Sequence, residues 1–169
     1  MAGVLSSIEA CVPALRRYAH ALLRSPQDAD DLVHDTLIRA LDKLHTKRSD
    51  AEVRPWLFAI MHNVFVTQLR RAKARAAKEP LNVINETVQE EQEQNLRWRD
   101  LMRSFNCLSE EQRAVILLVS VEDLSYAEAA RVLDIPIGTV MSRLARGREQ
   151  LRQMMQDGAK ARPCLRRVK

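Results

Sequence analysis

Apolar residues recur every three or four positions along almost the whole chain, and no stretch shows the β-branched, period-two alternation of a strand. A chain patterned this way has to bury helical stripes against one another. Ile8, Val12, Leu15, Ala19, Leu22 and Leu23 share one stripe, which predicts a helix over residues 8–24. Ser25 can cap a second helix, with Pro26 in its first turn and Asp28 at the positive end of its dipole. Ala29, Leu32, Val33, Leu37, Ala40, Leu41 and Leu44 give that helix its buried face, and Asp30, Asp31, His34, Asp35 and Arg39 its polar one. Residues 45–54 are polar and read as a loop. Pro55 can open a third helix carrying Trp56, Leu57, Ile60, Met61, Val64, Phe65 and Leu69. Its far end is basic (Arg70, Arg71, Lys73, Arg75, Lys78), and Pro80 breaks it.

A glutamate-rich stretch, residues 81–94, reads as a flexible linker, and helical patterning resumes near Asn95. Two capping boxes follow, Ser109 with Gln112 and Ser125 with Glu128. The first precedes an apolar run at residues 114–121. The second opens a short helix holding Ala129, Ala130, Val132 and Leu133. Residues 134–138, ending in Gly138, form a tight turn, and a basic helix runs from about Thr139 to about Met155. Short helix, turn and basic helix in that order are the grammar of a helix-turn-helix. Val140, Leu144 and Leu151 are placed toward the core, with Gly147 allowing close packing. Thr139, Ser142, Arg143 and Arg146 are placed together on the opposite face.

Charge divides along the same lines. The 169 residues carry a net +5, but residues 1–80 are +4, residues 81–124 are −5 and residues 125–169 are +6. Two basic blocks around an acidic middle favour a polyanionic partner. Other classes find little support. No apolar stretch is long enough to span a bilayer, and the first ten residues lack the regions of a secretory signal. Cys11, Cys107 and Cys164 are far apart, which suits reduced thiols in a cytoplasmic protein. None of the four glycines lies in a phosphate-binding pattern, and the four histidines do not cluster with metal-ligand spacing. No catalytic residue, cofactor, metal or small-molecule substrate is therefore expected.

Arginine can pair bidentately with guanine edges, and serine and threonine reach phosphates or bases, so the basic helix suits duplex DNA; a solvated basic face is the plainer alternative. Trp56 fits either a core position or a platform for unpaired bases, and Asn63 either a helix flank or a base contact. The acidic face around Asp31 and Asp35 is either solvated or presented to a basic protein surface.

Residues 28–41 (DADDLVHDTLIRAL) resemble region 2.2 of the group IV, or extracytoplasmic function (ECF), sigma factors of bacteria. Residues 54–64 (RPWLFAIMHNV) and 69–71 (LRR) resemble regions 2.3 and 2.4. Residues 108–113, 124–130 and 137–148 resemble region 4, in family order. The resemblance implies an all-α chain of two small helical domains. Region 2 would take residues 1–80, an acidic linker 81–100, the region 4 helix-turn-helix 101–157, and a basic tail 158–169. It implies binding to core RNA polymerase and direction of that enzyme to promoters, in a stress or environmental response.

Residue by residue, the resemblance places Asp31, His34 and Asp35 against the clamp helices of the polymerase β′ subunit. His34 stands where glutamine is usual, which would make the contact mildly pH-sensitive. It places Arg48, Arg54, Trp56, Asn63, Arg70 and Arg71 at the −10 element, with a flipped base held by the loop at residues 45–54. It places Thr139, Ser142, Arg143 and Arg146 at the −35 element. Met141 stands where relatives often carry a basic residue. The apolar helix at 114–121 would meet the tip of the polymerase β flap. With no long region 1 and no further C-terminal domain expected, control would come from a separate anti-sigma factor, often membrane-anchored, that covers both domains. Two other readings compete: a stand-alone helix-turn-helix regulator, with residues 1–80 as a dimerisation bundle, and a sigma-like decoy that binds an anti-sigma factor but not DNA. The first has no use for the Asp31–Asp35 and Trp56–Asn63 patterns together, and the second none for Arg143, Arg146 and Arg148.

Overall fold

The computed structural model describes residues 2–23, 25–44, 52–76 and 96–156, all built from helices and their connections. The elements in chain order are α1 (Ala2–Leu22), α2 (Pro26–Asp42), α3 (Val53–Ala76), α4 (Leu96–Asn106), α5 (Glu110–Ile116), a π-helical turn (Leu117–Val121), α6 (Tyr126–Leu133) and α7 (Ile137–Gln156). Among the described residues there is no strand, and no helix is long and apolar enough to cross a membrane.

The first three helices pack pairwise into a bundle. Leu15, Tyr18, Leu22, Leu32, Leu57, Phe58 and Met61 are fully enclosed at its centre. α1 begins earlier than its main stripe predicts. Val4 already packs on the core, and the Ser7 hydroxyl donates to the Gly3 carbonyl at 2.9 Å. α2 starts as predicted, with the Ser25 side chain accepting from the Asp28 N–H. Its buried face departs from the apolar spacing at one step. Thr36 is buried, its hydroxyl donating to the Leu32 carbonyl at 2.7 Å, and Leu41 is left 52% exposed. The backbone bond removes the cost of burying the hydroxyl. α3 starts two residues before Pro55, which sits in its first turn.

Tyr18 packs edge-on against Phe58, with ring centroids 5.3 Å apart. Its hydroxyl is buried and finds no hydrogen-bond partner among the described residues. Burial pushes the phenol well above its ordinary range. Tyr18→Phe removes an unsatisfied polar atom and keeps the ring, so it is expected to raise stability by about 1 kcal/mol, read as a shift in denaturant midpoint at constant slope.

The remaining helices form the second unit, in which α7 packs on α4, α5 and α6. Both capping boxes form as predicted, Ser109 with Gln112 and Ser125 with Glu128. The apolar run does not continue as a regular helix. After Ile116 it widens into the π turn, and Asp123 then takes a left-handed conformation, φ 52°. The turn between α6 and α7 also differs from its sequence reading. Gly138 has an ordinary φ and lies inside α7, while Asp134 takes the left-handed position, φ 51°. A short polar side chain tolerates that conformation, so the turn needs no glycine. Gly147 is the glycine in close packing: a Cβ there would lie 2.8 Å from Ile116 Cδ1, so the end of that side chain would have to shift.

The two units are packed together. α3 lies along α6, and α1 touches α5 and the π turn. Four ion pairs cross the boundary: Arg17–Glu122 at 3.0 Å, Arg54–Glu122 at 2.7 Å, Lys73–Glu110 at 3.5 Å and Arg131–Glu52 at 3.2 Å. In three of them the anion comes from the acidic middle of the chain. Glu110 and Glu122 thus act as ion-pair partners for the first basic block.

Candidate nucleic-acid interface

α7 carries the basic edge of the helix-turn-helix. Successive helical residues turn by about 100°, so Arg143 falls only about 60° from Val140 and about 40° from Gly147. Val140, Leu144 and Gly147 are buried. Arg143 therefore adjoins the packing face, while Thr139, Ser142 and Arg146 fall about 100° or more from its centre, on the side the sequence predicts. Thr139, Ser142 and Arg143 are half-buried, and Arg146 is exposed. The Ser142 hydroxyl donates to the Thr139 carbonyl at 3.1 Å.

Arg143 turns toward a crevice between the units, lined on one side by His62, Phe65, Val66, Leu69, Arg70 and Lys73 of α3. Glu110, Glu111 and Ala114 of α5 and Leu133 of α6 line the other side; the cavity holds about 210 Å³. Its charges interact. Burial, and then the Arg143 charge, lower the His62 pKa below that of an ordinary imidazole. Glu111 is held below the usual carboxylate range by its own backbone N–H at the start of α5, against some desolvation, with Ser109, Arg143 and Lys73 also contributing. The crevice brings residues predicted for the −10 side (Arg70) and the −35 side (Arg143) to one place.

The remaining −10 candidates are spread along α3. Asn63, Arg70 and Arg71 are exposed, and Trp56 is half-buried against the core. Arg54 is committed elsewhere: it holds Glu122 and lies 5.9 Å over the Phe58 ring. Arg48 and most of the loop at residues 45–54 lie outside the described residues, as do the proposed linker core and the tail. On α2, Asp31 and His34 are exposed, and Asp35 is half-buried and accepts from Gln68 Nε2 of α3 at 3.2 Å. Ile38 and Leu41, 45% and 52% exposed, extend this helix with an apolar edge. The helix at 114–121 is mostly enclosed, with Ala114 through Leu118 buried and Val121 exposed.

Sequence reasoning missed Arg17 and Glu122. Arg17 is an exposed arginine on an amphipathic helix, and Glu122 sits beside Asp123 at a helix end. Only packing between the units joins them, and the apolar residues around Glu122 were the one available hint.

Two protein-family models match the chain, "Sigma2 domain of PhyR" over residues 8–62 and "Sigma-70, region 4" over residues 98–151. The chain is 31% identical over 155 residues to the ECF RNA polymerase sigma factor EcfG of Rhodopseudomonas palustris, covering 90% of this chain and 85% of that one. It is 37% identical over 145 residues to the ECF RNA polymerase sigma factor SigM of Mycobacterium tuberculosis, covering 83% and 71%. Among solved structures it is similar to the sigma factor RpoE of Bartonella quintana in complex with the anti-sigma factor NepR. There the TM-score is 0.80 and the identity 30%, covering 89% of this chain and 95% of that one. CnrH in complex with the cytosolic domain of CnrY shares the fold at 24% identity and a TM-score of 0.63. The matches run through both helical units in order, and on them the chain belongs to the ECF family of RNA polymerase sigma factors.

Proposed function

We propose that the chain binds core RNA polymerase through α2 and reads two promoter elements through α3 and α7, with no catalysis of its own. The observation that carries this reading is the placement of three separate faces: an acidic one at Asp31, His34 and Asp35, a basic α3 end at Arg70 and Arg71, and the Arg146 edge of α7. A dimerising regulator would use one DNA surface. Here two basic surfaces lie on different units, with an acidic face that suits a basic protein. Region 2 spans residues 1–80 in this reading and region 4 residues 101–157. Arg48, Arg54, Trp56, Asn63, Arg70 and Arg71 serve the −10 element. Thr139, Ser142, Arg143 and Arg146 serve the −35 element, and the protein acts in the cytoplasm.

An anti-sigma factor is the proposed controlling partner. The similarity to RpoE bound to NepR supports it, at an identity where family membership carries over. Region 4 residues from 114 to 118 are enclosed, with α5 packed chiefly on α7 of its own unit, so they do not offer an open surface to the β flap.

Run-off transcription with core polymerase on a genomic template pool tests the reading, and the expected result is promoter-specific transcripts only when the protein is added. Transcription at no promoter would overturn it, and binding to an anti-sigma factor without DNA binding would favour the decoy. Asp35→Ala is expected to weaken core affinity about tenfold, roughly 1.4 kcal/mol. A pull-down of core polymerase by the intact chain checks it. Asp35→Asn, which keeps a partner for Gln68, separates loss of charge from disturbance of the α2–α3 contact.

A further inference from the structure

Glu122 has no exposed side-chain surface, and both its partners come from the other unit. Arg17 of α1 donates from Nη2 to Oε2 at 3.0 Å and from Nε to Oε1 at 3.3 Å, a two-pronged contact. Arg54 of α3 donates from Nη2 to Oε2 at 2.7 Å and to the Glu122 backbone carbonyl at 2.9 Å. The backbone is shaped to put the carboxylate there. The π turn ends on Val121, the Glu122 N–H donates to the Leu117 carbonyl, and Asp123 follows in a left-handed conformation. π turns of this kind concentrate at functional positions.

The three side chains are not equivalent. Arg17 and Arg54 are 57% and 43% exposed, so either can turn to water, whereas the carboxylate is hydrated only if the units separate. A pair of arginines converging on one carboxylate is also the arrangement that grips a phosphate, because the guanidinium fork matches both anions. Arg54 is one of the residues assigned above to promoter DNA. Its Nη2 cannot serve Glu122 and a DNA strand together.

We propose that Arg17 and Arg54 form a single DNA-phosphate site and that Glu122 occupies it as an internal mimic of the phosphate, latching the two units together until nucleic acid displaces it. The proposal rests on the promoter reading and adds Arg17 to the DNA-contacting residues. Glu122 stands in the same relation to the site as a competing anion. Its local concentration is fixed by the fold, so a lone phosphate does not displace it and a strand that also engages Asn63, Arg70 and Arg71 does. Arg143, which lines the crevice with His62 in the same closed arrangement, is released with it.

Small-angle scattering and oligonucleotide binding by the full chain test this. The probe is a fluorescein-labelled 30-base-pair duplex with a single-stranded fork, followed by anisotropy at low salt. E122Q keeps the size of the side chain and removes the charge. It is expected to raise the radius of gyration above the roughly 15 Å of a compact chain of this length, and to bind the fork at least fivefold more tightly than the parent. Adding R17Q to E122Q is expected to cancel most of that gain while leaving the chain open. An E122Q protein with parental radius and affinity overturns the latch. A gain that survives R17Q overturns the assignment of Arg17. Should E122Q lose its helical signal, E122D is the substitute, since it keeps the charge but is one methylene too short to span both arginines. Run-off transcription by the parent separates the two levels. If the parent directs transcription and E122Q changes nothing, the latch fails and the promoter reading stands. If the parent directs none, the promoter reading itself fails.

Discussion

Phe58→Ala is expected to cost about 3–5 kcal/mol, the upper range for a single core truncation and a large part of the ~5–15 kcal/mol that holds a typical domain. Phe58 is fully buried on α3 and takes the edge of Tyr18 at 5.3 Å. Its loss leaves a ring-sized void between α1 and α3, where two rigid helices have little freedom to collapse. A second effect follows from the Arg54 guanidinium lying 5.9 Å over the same ring. Without that surface Arg54 loses one of the contacts that hold it toward Glu122. Chemical denaturation of the parent and of Phe58→Ala and Phe58→Leu checks the claim. Leucine is expected to recover more than half of the loss, and an alanine variant within 1 kcal/mol of the parent would mean that α1 and α3 do not meet as described.

Arg146→Ala is the substitution with the largest expected effect on promoter choice. Arg146 is the exposed member of the basic edge of α7, where Arg143 is half-buried in the crevice and Ser142 is bonded to Thr139. A bidentate base contact contributes about 1–3 kcal/mol of discrimination, so transcription at a cognate −35 element is expected to fall roughly 10- to 100-fold. Salt dependence tells which contact is lost. If Arg146 sits on a phosphate, the slope of log affinity against log salt falls by about 0.9 and all −35 sequences weaken alike. If it reads a base, the slope stays and discrimination at one base pair disappears. Unchanged transcription across promoters would remove Arg146 from the interface.

How much of this was legible in the sequence depends on how far apart the partners are in the chain. Ser109 with Gln112, Ser125 with Glu128, and Ser25 with Asp28 are contacts over three residues, and each forms as its spacing predicts. The family motifs are equally local, and they carried the two-domain, all-helical architecture. What escaped needed partners from elsewhere. Thr36 looks polar and can be buried because its hydroxyl returns to the backbone of the same helix, while Leu41 lies outside. The turn read as ending in Gly138, but α7 has already begun at Ile137 and it is Asp134 that takes the left-handed conformation. Arg54 read as a DNA ligand from the motif around it, and its contact lies 68 residues away. Arg17 and Glu122 are separated by 105 residues, and beyond the apolar neighbours of Glu122 nothing local marks their pairing.

The π turn at Leu117–Val121 also sets the bearing of everything that follows it. Each residue of a regular helix advances the winding by about 100° and 1.5 Å, so a turn wound wider than its neighbours works as a phase shifter between α5 and the segments beyond. Val119 is half-buried and Ser120 and Val121 are exposed, so the identity of these residues matters less than their number. Removing one would swing Glu122 away from α1 and α3 and re-aim the basic edge of α7 by about a quarter of a revolution. The stretch from Val119 to Val121 is therefore a spacer whose length is its information, more tolerant of substitution than of insertion or deletion.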